Sequence, residues 1–131
     1  MNKEVIENLE KNTYLKEKLR IINKLIEEKK YKEAYLKFAT ILEYINIKYI
    51  KAKYNIDMLD SSLINIVITY ETRDKELYEK MKIINAEYND INLNNLEIED
   101  IEYLASYIDL MFKYMTDDIG NFIYGSVTNG K

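Results

Sequence analysis

The sequence predicts an all-α fold, an antiparallel bundle of four to five helices with short connections. Three observations predict it. Apolar residues recur every three to four positions along most of the chain, the spacing of a helix with one buried face. Proline is absent and the three glycines all lie at or after Gly120, so nothing strongly breaks a helix in the first 119 residues. The chain has 131 residues, 47% hydrophobic and 32% charged, which suits one globular domain with its own core and leaves no room for two. The domain is expected over residues 1–119, with 120–131 as a C-terminal tail.

The first helical stretch is expected from Lys3 to Lys29, with Leu15, Leu19, Ile22 and Ile26 on one face. Asn12-Thr13 is an imperfect capping signal, so a break there is compatible with the pattern. The second stretch, Tyr31 to Tyr54, carries a heptad-like stripe of Tyr31, Tyr35, Phe38, Leu42, Ile45, Tyr49 and Ala52. Ala34, Ile41 and Ile50 widen the stripe and predict contact with more than one neighbour.

The third stretch, Asp60 to Tyr70, is β-branched enough to be a strand. A helix is expected instead: Asp60-Ser61-Ser62 is an N-cap signal, Leu59, Leu63, Ile66, Val67 and Tyr70 fit one face, and a lone strand would have no partner. The fourth runs from Asp74 to Tyr88, with Leu77, Met81, Ile84 and Tyr88 inward. An Asn-rich link, Asn89 to Asn95, leads to a last helix from Glu97 to Asp117. Its core face is Ile101, Leu104, Ala105, Ile108, Met111, Phe112 and Met115, and its acidic first turn suits the positive end of the helix dipole. In the tail, Phe122, Ile123 and Tyr124 would dock on the bundle, meet a partner or fray.

Composition excludes more chemistry than it suggests. Cysteine and histidine are both absent, which removes disulfides, thiol nucleophiles, Ser-His-Asp and Cys-His sites, and zinc centres built from those ligands. Carboxylate pairs such as Glu27-Glu28 and Asp117-Asp118 suit solvated helix ends better than a metal site. Ferritin-like sites need a Glu-x-x-His on two helices, and Asp57 to Asp60 lacks the calcium-loop pattern. No phosphate-cradling glycine turn precedes Gly120. No metal or cofactor is expected. Met1 to Glu7 has no apolar run of the signal-peptide kind, and the longest purely apolar stretch, Ile66-Val67-Ile68, is far too short for a membrane span. A cytoplasmic protein with no membrane partner is expected.

The net charge of −4 is unevenly placed: residues 1–55 carry a net of +5 and residues 56–131 a net of −9. In the basic half, lysine and tyrosine interleave at Lys29 to Lys37 and at Lys48 to Tyr54. Lysines contact phosphates and tyrosines stack on bases, so Lys48, Lys51 and Lys53 are candidate nucleic-acid contacts. Against that, Tyr31, Tyr35 and Tyr49 belong to the core stripe. Thirteen tyrosines are many for this length. Tyr103, Tyr107 and Tyr114, spaced by four and seven, lie beside the core face of the last helix. They are the candidate interface.

The segment Leu77 to Asn92, followed by the helix from Ile98, resembles the corresponding part of the HEPN superfamily (higher eukaryote and prokaryote nucleotide-binding domains). The resemblance spans residues 30–118. It implies a bundle of four to five helices that often dimerises, and in many members a metal-independent ribonuclease with an Arg, four to six residues and a His. Here Glu87 stands where the family has Arg and Asn92 where it has His. Glu87 reverses the charge that would stabilise the transition state, and Asn92 cannot act as acid or base. The resemblance therefore implies a degenerate HEPN-like member without the nuclease chemistry.

The expectation from sequence is a non-catalytic helical interaction protein, an adaptor or inhibitor working by protein–protein contact. A phage or mobile-element protein acting on a host defence system, an antitoxin-like partner and a homodimer are all compatible with it. The alternative is a nucleic-acid-binding module using the basic half. The second alternative is a HEPN-type ribonuclease with atypical residues, for which Glu87 and Arg73 would be tested.

Overall fold

The computed structural model describes residues 1–60 and 62–111. Among these there are six α-helices, one 3-10 turn and no strand. The helices are α1 (Lys3–Leu9), α2 (Thr13–Glu27), α3 (Tyr31–Tyr54), α4 (Leu63–Glu71), α5 (Lys75–Asp90) and α6 (98–111), and the 3-10 turn Leu93–Asn95 lies in the link between α5 and α6. The chain is all-α, a bundle with short connections. Phe112, Tyr114, Met115 and the tail 120–131 lie outside the described residues.

With no proline and no early glycine, polar side chains set most of the helix starts; α3 and α4 begin without a side-chain cap bond, although Ser62 stands at the N-cap of α4. Asn2 accepts from the Glu4 amide at 2.8 Å, Asn12 from Leu15 at 3.1 Å and Asp74 from Leu77 at 3.0 Å. At the start of α6 the Asp100 carboxylate reaches back to the Glu97 amide at 2.8 Å, one half of a capping box. The long first stretch divides because Asn12 is wholly buried. Its carboxamide caps α2 and donates to the Tyr44 hydroxyl at 3.1 Å, so the chain turns there rather than continuing. Between α2 and α3 the chain reverses through Lys29 at φ 58°. The Lys30 amide donates to Leu25 O and the Lys29 amide to Ile26 O, a Schellman motif with lysine where glycine is usual. α3 ends at Asn55, also left-handed.

α3 is the axis. It buries Ala34, Tyr35, Phe38, Ile41, Leu42, Ile45, Asn46, Tyr49 and Ile50, more than one face, and packs against α2 and α4. α4 is helical despite its β-branched residues: Leu63, Ile66, Val67 and Tyr70 are buried on one side against α3 and α5. That tertiary burial outweighs local strand preference. The expected inward residues of α2, α5 and α6 are mostly buried as well, with Ile26 and Tyr88 half-buried. Two expectations are corrected. Ala52 is exposed, because past Tyr49 and Ile50 the packed side of α3 continues to the half-buried Tyr54 and not to Ala52. Leu59 is fully exposed, because α4 starts only at Leu63 and Leu59 sits in the preceding loop.

At the centre, Asn46 is the buried polar residue that links four helices. Its Nδ2 donates to Leu42 O at 2.7 Å and lies 3.7 Å from the sulfurs of Met81 and Met111, and its Oδ1 accepts from the Tyr70 hydroxyl at 2.7 Å. No buried side-chain nitrogen or oxygen among the described residues lacks a partner. Burial pushes the Tyr70 phenol far above its ordinary range. No helix among the described residues is long and apolar enough to cross a membrane.

Candidate interaction face

On α6 the core side is Ile101, Leu104, Ala105, Ile108 and Met111. At 3.6 residues per turn, Tyr103, Tyr107 and Leu110 (spaced four and three) fall together on a different side. Tyr103 is 47% exposed and Leu110 43%, and Tyr107 is half-buried between them. The two phenols meet edge to face at 5.3 Å, and their hydroxyls share a hydrogen bond of 3.1 Å. Each ring therefore restrains the other. Ring packing of this kind contributes about 0.5–1.5 kcal/mol beyond area burial.

α5 supplies the neighbouring edge. Glu87 is close enough that its charge helps hold the Tyr107 phenol up, at about 12. Burial is the larger cause, followed by the hydrogen bond and charge of Tyr103. On the same helix, Tyr88 stacks on the buried Tyr35 with ring centroids 6.0 Å apart. Tyr35 is likewise pushed up to about 12, by burial first and then by Glu87, Tyr88 and Asp100. Ile83, one turn before Glu87 on α5, is 51% exposed. These phenols stay protonated at neutral pH and can donate a hydrogen bond, but they are no bases.

The surroundings are acidic. No lysine or arginine occurs between Lys82 and Lys113. Among the described residues, Glu87, Asp90, Glu97, Glu99 and Glu102 make no ion pair. The face is thus a small aromatic and aliphatic patch with the Glu87 carboxylate beside Tyr107, on a stretch of chain without a basic residue.

The HEPN-position residues fall differently. Glu87 sits beside the tyrosine ridge, whereas the Asn92 side chain accepts from the Asn94 amide at 3.0 Å and so starts the 3-10 turn. Arg73 donates to Thr69 O at 2.9 Å and lies over the Tyr54 ring at 6.0 Å, closing the end of α4. Among the described residues no group of three or more carboxylates could hold a metal ion.

The basic candidates also have structural partners. Four tyrosines carry a lysine four residues later whose ammonium lies over the ring: Tyr14–Lys18, Tyr44–Lys48, Tyr49–Lys53 and Tyr78–Lys82, at 4.9–5.5 Å. The interleaving of lysine and tyrosine is in part an intrahelical i, i+4 cation–π pattern. Lys53 also donates to the Tyr49 hydroxyl at 2.9 Å, and Lys51 bridges to Asn55 and Asp57 at 3.1 Å each. Tyr35 and Tyr49 are buried, so their rings cannot stack on bases.

Tyr103 and Tyr107 are brought together as their spacing predicts, and Tyr114 lies outside the described residues. Sequence reading missed Leu110 and Ile83. The signal for Leu110 was present, three residues after Tyr107 on the same side. Compared with protein-family models, with curated proteins and with solved structures, the chain has no match.

Proposed function

We propose that this chain is a non-catalytic interaction protein, an adaptor or inhibitor, that binds a protein partner through the α5–α6 face. The observation that carries the reading is the exposed Tyr103–Tyr107–Leu110 ridge with the Glu87 carboxylate beside it, on a stretch of chain without a basic residue. A mutually restrained aromatic pair offers contact area at little entropic cost, and desolvated tyrosines are the residues on which binding energy concentrates. The acidic character of this stretch favours a partner whose contact surface carries lysine and arginine, and it disfavours a second copy presenting the same face. A degenerate HEPN-like domain that keeps the bundle and has Glu87 in place of a phosphate-binding Arg fits this reading. So does an antitoxin-like or phage-borne inhibitor of a basic target.

The test is affinity capture from native lysate with the wild-type chain and with Tyr103→Ser/Tyr107→Ser. A stoichiometric protein kept by the wild type and lost by the folded variant supports the reading. A partner retained equally by both overturns the assignment of the face.

A further inference from the structure

Between Asp60 and Glu71 ten residues carry no charge, the longest such run in residues 1–111 of a chain that is 32% charged. Within it Ile64, Ile66, Val67, Ile68 and Thr69 are β-branched and Tyr70 is aromatic, types that favour strands. Neither proline nor glycine interrupts them. Strong strand preference, low charge and no breaker make up the composition of segments that stack as identical strands from many copies.

The helix that this run forms has little of its own to hold it. α4 has nine residues, and an isolated helix shorter than about 12–15 residues is marginal in water. Ser62 makes no side-chain cap bond, and the Thr69 hydroxyl donates back to Asn65 O at 2.8 Å, a bond that weakens a helix slightly. What holds α4 is the burial of Leu63, Ile66, Val67 and Tyr70, together with the bond from the Tyr70 hydroxyl to Asn46 at 2.7 Å. The opposite side is left in water: Ile64 is 48% exposed and Ile68 56%.

A change of period from about 3.6 residues to about 2 would alter that balance. In a strand Ile64, Ile66, Ile68 and Tyr70 fall on one face, so the two isoleucines that the helix leaves in water join two residues now in the core. Two sheets can close a dry interface over that face, and stacked copies of Asn65 on the other face can pair their carboxamides. Identical copies of the run meet without charge repulsion, since it carries none.

We propose that α4 is a conditional β segment whose partner is the same segment of further copies of this chain. Seated on α3 and α5 it is helical; once that seat is lost, residues 63–70 pair between copies as an intermolecular sheet. The inference does not rest on the α5–α6 reading given above.

The test uses three full-length chains: wild type, Ile64→Lys/Ile68→Lys and Ile83→Lys/Leu110→Lys. The two variants make the same change of charge at exposed aliphatic residues, inside and outside the run. Circular dichroism checks that each chain is helical at low temperature. Each is then held at its own thermal midpoint, so that the unfolded fraction is the same in all three. Thioflavin T fluorescence and the infrared amide band of intermolecular sheet are followed. Wild type and Ile83→Lys/Leu110→Lys should form sheet, and Ile64→Lys/Ile68→Lys should lose it, because a charge within the run blocks stacking. No intermolecular sheet from wild type at its midpoint overturns the proposal. Sheet that persists in Ile64→Lys/Ile68→Lys also overturns it, since another segment would then do the pairing. Loss of sheet in Ile83→Lys/Leu110→Lys overturns it too, since net charge would then be the cause.

Discussion

Replacing Tyr70 by Phe removes one oxygen from the centre of the bundle and leaves the Asn46 carbonyl oxygen without its 2.7 Å donor. Both residues are 0% exposed, so water cannot take over. An orphaned buried acceptor costs about 1–3 kcal/mol, far more than the net value of an average hydrogen bond. Unfolding entropy of about 2.1 cal/mol/K per residue gives roughly 0.28 kcal/mol/K for this chain. A loss of about 2 kcal/mol thus lowers Tm by about 7 °C. Asn46→Leu should cost a similar amount by orphaning the Tyr70 hydroxyl. The double variant should cost clearly less than the two singles together, because both polar partners are gone, with a coupling of about 1–2 kcal/mol. Thermal and urea unfolding followed by circular dichroism measure all four corners of the cycle. A Tyr70→Phe chain that melts within about 1 °C of wild type, or a strictly additive double variant, would refute the view that this network fastens α3 to α4.

Asn12→Ala should destabilise by about 1–2 kcal/mol in urea unfolding, since it removes both the α2 cap and the bond to Tyr44, while Asn12→Ser keeps the cap and should recover part of the loss. Lys29→Gly should raise the urea midpoint, because relief of a left-handed lysine, about 1–2 kcal/mol, exceeds the added freedom of the unfolded chain, about 0.4–1 kcal/mol. Stability should fall as pH rises from about 10 to about 12: Tyr35 and Tyr107 hold their protons to about 12 when folded, whereas the unfolded chain releases them near 10. A phenolate absorbance titration should show this delay and lose part of it in Tyr107→Phe. Lys48→Glu/Lys51→Glu/Lys53→Glu should leave capture of a protein partner intact, whereas a nucleic-acid-binding module would lose its ligand, as a gel-shift assay at low salt would report.

Much of the fold was legible because helix periodicity is written locally. α3 runs over the expected Tyr31–Tyr54, and the first stretch, expected over Lys3 to Lys29, divides at the Asn12-Thr13 signal that allowed a break. Of the two cap signals read in the sequence, Asn12 caps α2 with its side chain, whereas Ser62 stands at the start of α4 without a side-chain cap bond. Burial at the ends of elements was not legible. Ala52 continues the spacing of α3, but beyond Tyr49 and Ile50 it is Tyr54 that packs against the core, and periodicity gives a direction without saying where a neighbour lies. Asn46 looks like a surface residue by type, and only the convergence of α4, α5 and α6 on it makes it the central knot.

The candidate site shows the same division. Tyr103 and Tyr107 could be paired from their spacing on one helix. The nearness of Glu87 to Tyr107 depends on how α5 meets α6, which no single segment encodes. The lysine–tyrosine interleaving had a local explanation, cation–π pairing at i, i+4, that was available from spacing alone.

The most direct test of the central claim, action by protein contact rather than through nucleic acid or catalysis, is salt-resolved capture. The tagged chain is used on native lysate at low and moderate salt, and both protein and nucleic acid in the eluate are quantified. The account predicts a stoichiometric protein with a basic surface that is retained at moderate salt. Nucleic acid that co-elutes and disappears as salt rises, with no protein at stoichiometry, would contradict it.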